Sequence, residues 1–190
     1  MNGIINGECM SQELIFLKPD CIERKLVGKV IERFENAGFR IVKMKKGRIS
    51  EELARLLYAD SETQLTGMGN KTIKAMTDRG NAAGIKALFG TDVPYEIGKE
   101  LNSWNRKYAL SADVIAMIIE KDGDAVTEAR TLVGKTDPSI AAKGTIRGDW
   151  GADTIYDANT GRRAVRNIVH ASDVDTAEAD LRSFETYFFG

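Results

Sequence analysis

Residues 114–119, Val-Ile-Ala-Met-Ile-Ile, form an unbroken apolar run that ends at Glu120 and the turn signal Lys121-Asp122-Gly123-Asp124. A run this short, rich in Ile and Val and closed by a Gly-containing turn, reads as a buried strand. A buried strand obliges the rest of the chain to supply its cover, so the other segments are best read by asking which of them can do that.

Residues 13–18 read as a short strand stopped by Pro19-Asp20. Leu26, Val30, Ile31 and Phe34 recur at helical spacing with Lys29, Glu32, Arg33 and Glu35 between them, and Gly38 closes that helix. Residues 39–49 alternate as a strand. Ser50 followed by Glu51 and Glu52 is an N-cap with acidic residues in the first turn. Residues 61–95, rich in Gly, Asn, Thr and Lys and poor in large apolar side chains, read as an insertion with short helices. A helix is expected over 97–108 and another over 125–133, ended by Gly134. Regular structure is expected to be scarce over 135–166, where Gly144, Gly148, Gly151 and Gly161 dominate; loops of this length usually serve a function. A strand at 166–171 and an amphipathic helix at 173–184 complete the chain. The order β-α-β, helices, β-α, loop, β-α is that of an α+β, ferredoxin-like fold: a split βαβ, four-stranded antiparallel sheet with helices on one face. The expectation is one domain over residues 1–190, with insertions at about 61–95 and 150–163.

The 190 residues carry a net charge of -1, which argues against a stable nucleic acid partner held by bulk electrostatics. Two cysteines, Cys9 and Cys21, and one histidine are too few for an ordinary Cys/His zinc site, so no protein metal site is expected and the thiols read as reduced. No run approaches a membrane span, and the first ten residues lack a basic and apolar leader pattern. A cytoplasmic location with no membrane partner follows as the expectation, and the Asn70-Lys71-Thr72 triplet reads as an accidental glycosylation match.

His170, the one histidine, ends the apolar segment Asn167-Ile168-Val169 and precedes Ser172 and Asp173. An isolated histidine at a strand end is most often structural. Here it lies just beyond the glycine-rich segment, with Asn167 close by and with Ser172 and Asp173 able to orient a ring nitrogen. Upstream stand Lys18, Arg130, Thr136 and Arg147, the last within Gly144-Thr145-Ile146-Arg147-Gly148-Asp149. Singly each reads as a solvated side chain; together they are the ammonium, guanidinium forks and hydroxyl that phosphoryl transfer requires. Gly134-Lys135-Thr136 is not a P-loop, since Ala129 replaces the leading glycine and a helix, not a strand, precedes it.

Lys18-Pro19-Asp20, the Gly144 to Asp149 motif and Asn167-Ile168-Val169-His170-Ala171-Ser172-Asp173 resemble, in this order, the nucleoside diphosphate kinase family. The spacing from Arg130 through Gly134 and Thr136-Asp137-Pro138 to Arg147 also fits, and the resemblance covers most of the chain outside the two insertions. The tract after Tyr58 is similar to the longer variant of this region in some archaeal-type members, with Phe89-Gly90-Thr91-Asp92 leading into residues 95–104. The resemblance implies a ferredoxin-like fold and a ping-pong reaction in which His170 takes the terminal phosphate of a nucleoside triphosphate, usually ATP, and passes it to a nucleoside diphosphate. It implies that Lys18, Arg130, Thr136, Arg147 and Asn167 hold phosphates and sugar, that Tyr58 lines the site and that Ser172 supports the nucleophile. It further implies Mg²⁺ carried on the nucleotide phosphates, little base preference, and a homo-oligomer: hexamer, tetramer or a dimer-based assembly. The chain departs from the family in lacking the Arg-Pro-Phe stretch after Tyr58, in the longer segment between Arg147 and Asn167, and in the acidic partner of the histidine. That partner is a glutamate in the family, and its matches here are Asp180 or Glu178.

The competing reading is a catalytically weak or inactive ferredoxin-like nucleotide-binding module. A sheet that binds RNA displays aromatic and basic residues, and residues 114–120 contain no aromatic. A serine or aspartate phosphorelay is a third reading, separable by the chemistry of its adduct.

Overall fold

A computed structural model describes residues 4–5 and 8–190, with side chains from Met10 onward. The Cys9 thiol and the leader reading for the first residues lie outside that description. Strands β1 (Ile4–Ile5) and β2 (Glu8–Leu17) are followed by helices α1 (Pro19–Glu23) and α2 (Val27–Asn36), strand β3 (Arg40–Gly47) and helix α3 (Glu51–Leu57). Helices α4 (Glu62–Asp78), α5 (Gly84–Phe89) and α6 (Pro94–Leu110) lead to β4 (Val114–Asp122) and α7 (Ala125–Val133). Short helices α8 (Ile146–Trp150) and α9 (Ile155–Thr160), strand β5 (Val169–Ala171) and helix α10 (Ala177–Phe184) complete the order.

The sheet runs β5-β2-β4-β3 with every pair antiparallel, and β1 pairs with the start of β2. This is the ferredoxin-like four-stranded order, with the first and third long strands side by side at its centre. The expectation of helices on one face is corrected: both faces are covered. Ile15 and Leu17 of β2 and Ile115, Met117 and Ile119 of β4 pack with Val30 and Phe34 of α2 and Ala125, Ala129 and Val133 of α7. Leu14 and Phe16, with Val114, Ala116 and Ile118, pack on the other side with Leu53 and Leu57 of α3 and Leu181 and Phe184 of α10. Cover on both faces is the physical reason the 114–119 run has no polar alternation.

Caps explain several boundaries. Ser50 Oγ accepts the Leu53 N–H at 3.1 Å and opens α3, and Asp124 accepts the Thr127 N–H at 3.0 Å and opens α7. The segment expected to lack regular structure holds α8 and α9, opened by Thr145 and Thr154, whose hydroxyls accept the Gly148 and Asp157 N–H groups. These caps are hidden among glycines in the sequence.

The 61–95 insertion also departs from the expectation of short helices, since α4 spans 17 residues. It packs along α6 through glycines: a Cβ on Gly69 would collide with the Pro94 carbonyl, and one on Gly98 with the Leu65 carbonyl. Glycines that weaken an isolated helix here allow two backbones to approach, which propensity alone cannot reveal. Met76, Ile85, Ile97, Leu101, Trp104 and Ala164 form a small separate core. The two insertions meet within it, for Asn159 of α9 donates to Thr72 of α4 at 3.0 Å in a buried contact.

We expect Gly98→Val to destabilise the protein by about 1–3 kcal/mol, the usual penalty for forcing volume into a closed contact. Urea unfolding followed by circular dichroism checks this, and an unchanged midpoint would refute the close-packed α4–α6 seam.

Candidate active site

The site is built around a strained turn. Ile168 is fully buried and sits at φ 74°, a conformation costly for a β-branched residue. It is the centre of a three-residue turn in which the Val169 N–H donates to the Asn167 carbonyl at 2.8 Å, the strained variety of γ-turn. Two neighbours hold it. The Ile168 N–H donates to Asp20 Oδ2 at 2.9 Å, and the Ile168 carbonyl accepts the Lys18 N–H at 2.9 Å. Asp20 is in turn fixed by Tyr108 of α6, whose hydroxyl donates to Oδ1 at 2.8 Å and accepts the Asp20 N–H at 2.9 Å. The turn delivers β5 to the edge of β2, where His170 stands opposite Phe16.

Two buried cations lie beside this turn. Lys18 Nζ donates to Asn167 Oδ1 at 2.7 Å, and Asn167 Nδ2 donates to the Thr136 carbonyl at 2.8 Å. Arg147, in α8, donates to the carbonyls of Gly134 (2.8 Å), Asn167 (3.3 Å) and Val169 (2.7 Å), tying three segments together. Lys18 is 6% exposed and Arg147 9%, yet among the described residues neither forms an ion pair. Burial, then the Arg147 charge, lowers the Lys18 pKa to about 8. Burial, then Arg130, lowers that of Arg147 to about 10. Asp20 offsets part of both charges, and the buried positive potential that remains is what an anionic ligand completes.

The His170 ring lies between Tyr58 and Asp180. Tyr58 meets it edge-on, with ring centroids 6.0 Å apart. His170 Nε2 faces Asp180 Oδ2 at 3.7 Å, beyond hydrogen-bonding distance, and has no other partner among the described residues. Burial holds the imidazole pKa below its ordinary 6.5; Asp180 opposes the shift, and Lys18 and Arg147 add to it. The ring is therefore neutral near pH 7, as a nucleophile must be. Burial and Asp180 push the Tyr58 hydroxyl above its usual range, so it too is neutral.

The residues singled out in the sequence therefore fall in three groups. Lys18, Arg147, Asn167, His170, Tyr58 and Asp180 converge, and Ser172 is buried just behind the histidine. Arg130 frames the turn after β5, donating to the Ser172 carbonyl at 3.0 Å and pairing with Asp173 at 2.6 Å. Thr136 brings its backbone carbonyl to Asn167, while its side chain is exposed. Glu178, the alternative acidic partner, points to solvent and pairs with Arg182 at 2.5 Å.

Sequence reading missed several contributors. Asn102 donates to the Tyr58 and Ala59 carbonyls at 3.0 and 3.2 Å, and Arg106 donates to the Tyr58 carbonyl at 2.9 Å while pairing with Asp60 at 3.0 Å. Asp20 was visible as a turn and motif residue with no role of its own, and Tyr108 only as a helix end. Glu13, which adjoins the apolar end of β2, is fully buried and accepts the Ser172 N–H at 2.7 Å.

A family model described as nucleoside diphosphate kinase matches residues 11–90 and 95–188. A nucleoside diphosphate kinase of Pyrobaculum aerophilum is 40% identical over 174 residues, covering 91% of this chain and 93% of that one. The crystal structure of an NDP kinase from the same organism superposes with a TM-score of 0.85 at 38% identity, covering 92% of this chain and 95% of that chain. A halophilic nucleoside diphosphate kinase from Halobacterium salinarum, in complex with CDP, superposes with a TM-score of 0.56 at 26% identity over 95% and 88% of the two chains.

Proposed function

Because the chain belongs to the nucleoside diphosphate kinase family, whose reaction moves the terminal phosphate of a nucleoside triphosphate to a nucleoside diphosphate, we propose that His170 carries the phosphate between the two. The observation that bears most weight is the pair of buried cations, Lys18 and Arg147, whose charge Asp20 offsets only in part, beside a neutral imidazole. A structural histidine requires neither.

Nε2 faces the Asp180 carboxylate and so bears the ring proton, which leaves the Nδ1 lone pair to attack. As the Nδ1–phosphorus bond forms, the bond from phosphorus to the β–γ bridging oxygen breaks and the nucleoside diphosphate leaves. The ring gains positive charge, which Asp180 opposes from behind. The acceptor's terminal phosphate oxygen then attacks the same phosphorus, and the N–P bond breaks to restore the neutral ring. Lys18 and Arg147 neutralise phosphate oxygens, with Arg130 at the edge; Asn167 reaches the phosphates or sugar, as does Thr136 after a side-chain reorientation. Mg²⁺ enters with the nucleotide: the site offers cations, not carboxylate ligands, and among the described residues no group of three or more His, Cys, Asp or Glu side chains could hold a metal. The CDP bound to the Halobacterium relative supports a nucleoside diphosphate as one substrate. Residues 1–190 would act as a single catalytic domain in the cytoplasm. No described helix is long and apolar enough to cross a membrane.

Incubation with γ-labelled ATP should give an acid-labile, alkali-stable adduct that His170→Ala abolishes; label retained in that variant would sink the assignment. In the pH profile, kcat/KM should keep its plateau down to below pH 6.5, because the lowered His170 pKa keeps the ring neutral there. It should fall again near pH 8, where free Lys18 loses its charge. In kcat the Lys18 contribution should move to higher pH, because bound phosphate favours the ammonium. Stopped-flow and steady-state rates across pH check both limbs, and an acid limb above 6.5 would contradict the neutral-imidazole reading.

The outer edge of β3 carries exposed Val42 and Met44, which supports assembly into a homo-oligomer. Light scattering should therefore give a mass at least twice the 20.9 kDa of one chain; a monomer would refute this.

A further inference from the structure

Among the described residues, three buried polar atoms have no hydrogen-bond partner, and all lie together: Glu13 Oε2, Ser172 Oγ and His170 Nε2. The histidine atom belongs to the site already described. The other two point to a role for Glu13, which interrupts the apolar side of β2 and is fully buried.

Glu13 Oε1 accepts the Ser172 N–H at 2.7 Å, and the Ser172 hydroxyl lies against the same carboxyl. The carboxyl thus meets both the backbone and the side chain of one residue. Ser172 follows Ala171, which pairs with Ile15 of β2, and stands two residues after His170. The chain then turns through Asp173 and Thr176 into α10, whose Asp180 faces Nε2 and accepts from the Thr176 hydroxyl at 3.3 Å. Any slip at Ser172 moves the imidazole and its acidic partner relative to one another.

We propose that Glu13 is a positioning residue for phosphoryl transfer, holding His170 and Asp180 face to face through its buried grip on the Ser172 N–H. This rests on His170 being the phosphate carrier.

The charge state of Glu13 makes the grip pH-dependent. The charged groups around it are Asp180 from α10 and, on the far side of the Ser172 peptide, Arg130 from α7, itself paired with Asp173; from β4 its register partner is the apolar Ile119. Burial, with Asp180 adding to it, raises the Glu13 pKa to about 8, against the lowering by its bonds to Ser172. At neutral pH Glu13 is a carboxylic acid whose carbonyl oxygen accepts the Ser172 N–H. As pH rises through about 8 the carboxyl loses its proton and a second negative charge appears beside Asp180.

The test measures kcat and KM at saturating MgATP across pH for the parent, Glu13→Ala, Glu13→Gln and His170→Ala, with thermal melts for each. Glutamine keeps one acceptor and one donor and cannot ionise. We expect Glu13→Ala to lower kcat at pH 7 by about tenfold to a hundredfold with KM little changed, the size of effect expected when a reacting group is displaced by an ångström or less. Glu13→Gln should restore most of kcat and move the alkaline fall in kcat to higher pH than in the parent, leaving only the Lys18 limb. Parent-like kcat in Glu13→Ala, or an unchanged alkaline fall in Glu13→Gln, overturns the inference. Should Glu13→Ala not fold, the comparison of Glu13→Gln with the parent decides alone. His170→Ala separates the two levels: label in that variant refutes the phosphate carrier, whereas an unlabelled His170→Ala beside an unaffected Glu13→Ala refutes only the role of Glu13.

Discussion

Ile168 is held in a conformation it would not adopt alone, and the site depends on that turn. A β-branched residue at φ 74° costs on the order of 1–3 kcal/mol, and it persists only where the surroundings over-determine it. Here Asp20 takes its N–H, Lys18 takes its carbonyl, and the side chain is fully buried. The residues that hold the strain are the residues the site needs. Lys18 contributes its backbone N–H to the turn and its ammonium to the phosphate side, while Asn167 starts the turn and receives that ammonium. An extended Ile168 would carry Asn167 away from Lys18 and move β5, with His170, off the edge of β2.

Helix α6 couples this arrangement to the insertion. Tyr108, near its C-terminal end, fixes Asp20 and through it Ile168. Two and six residues earlier, Arg106 and Asn102 grip the Tyr58 carbonyl, and Tyr58 packs on the imidazole. The other end of α6 lies against α4 at the glycine seam, and α4 touches the second insertion through Thr72 and Asn159. The insertions thus brace the helix that fixes both the strained turn and the aromatic wall. Their small separate core explains why so few large apolar residues suffice in that tract.

What the sequence revealed, and what it hid, follows from the range of the interactions. The apolar run of β4, the amphipathic α2 and the capped α3 and α7 depend on residues near one another in the chain, so their patterns are local and legible. The charged and polar ends of the site were legible because motifs concentrate Lys18, Arg147, Asn167 and His170 in a few short stretches. Helix α4 was under-read because its glycines cost helix propensity, while the contact that repays them lies on α6, some thirty residues away. The one-face layering was wrong because cover for the second face comes from α3 and α10, at opposite ends of the chain. The contacts Asp20–Tyr108, Asp20–Ile168 and Glu13–Ser172 span 88, 148 and 159 positions, so no local pattern could give these residues their partners.

The electrostatics of the site link occupancy to reactivity. Lys18 and Arg147 spend their donors on neutral acceptors: an amide oxygen and three backbone carbonyls. Their charge is therefore oriented and only partly offset by Asp20, and some of it falls on His170, where it adds to burial in lowering the proton affinity of the ring. A nucleotide phosphate brings negative charge to those cations and relieves the pressure on the imidazole. The ring can then accept the positive charge that develops as Nδ1 bonds to phosphorus, with Asp180 behind Nε2. Without nucleotide, burial, reinforced by the same cations, keeps the ring neutral and its lone pair available, so the buried site prepares the nucleophile and neutralising its cations favours the reaction.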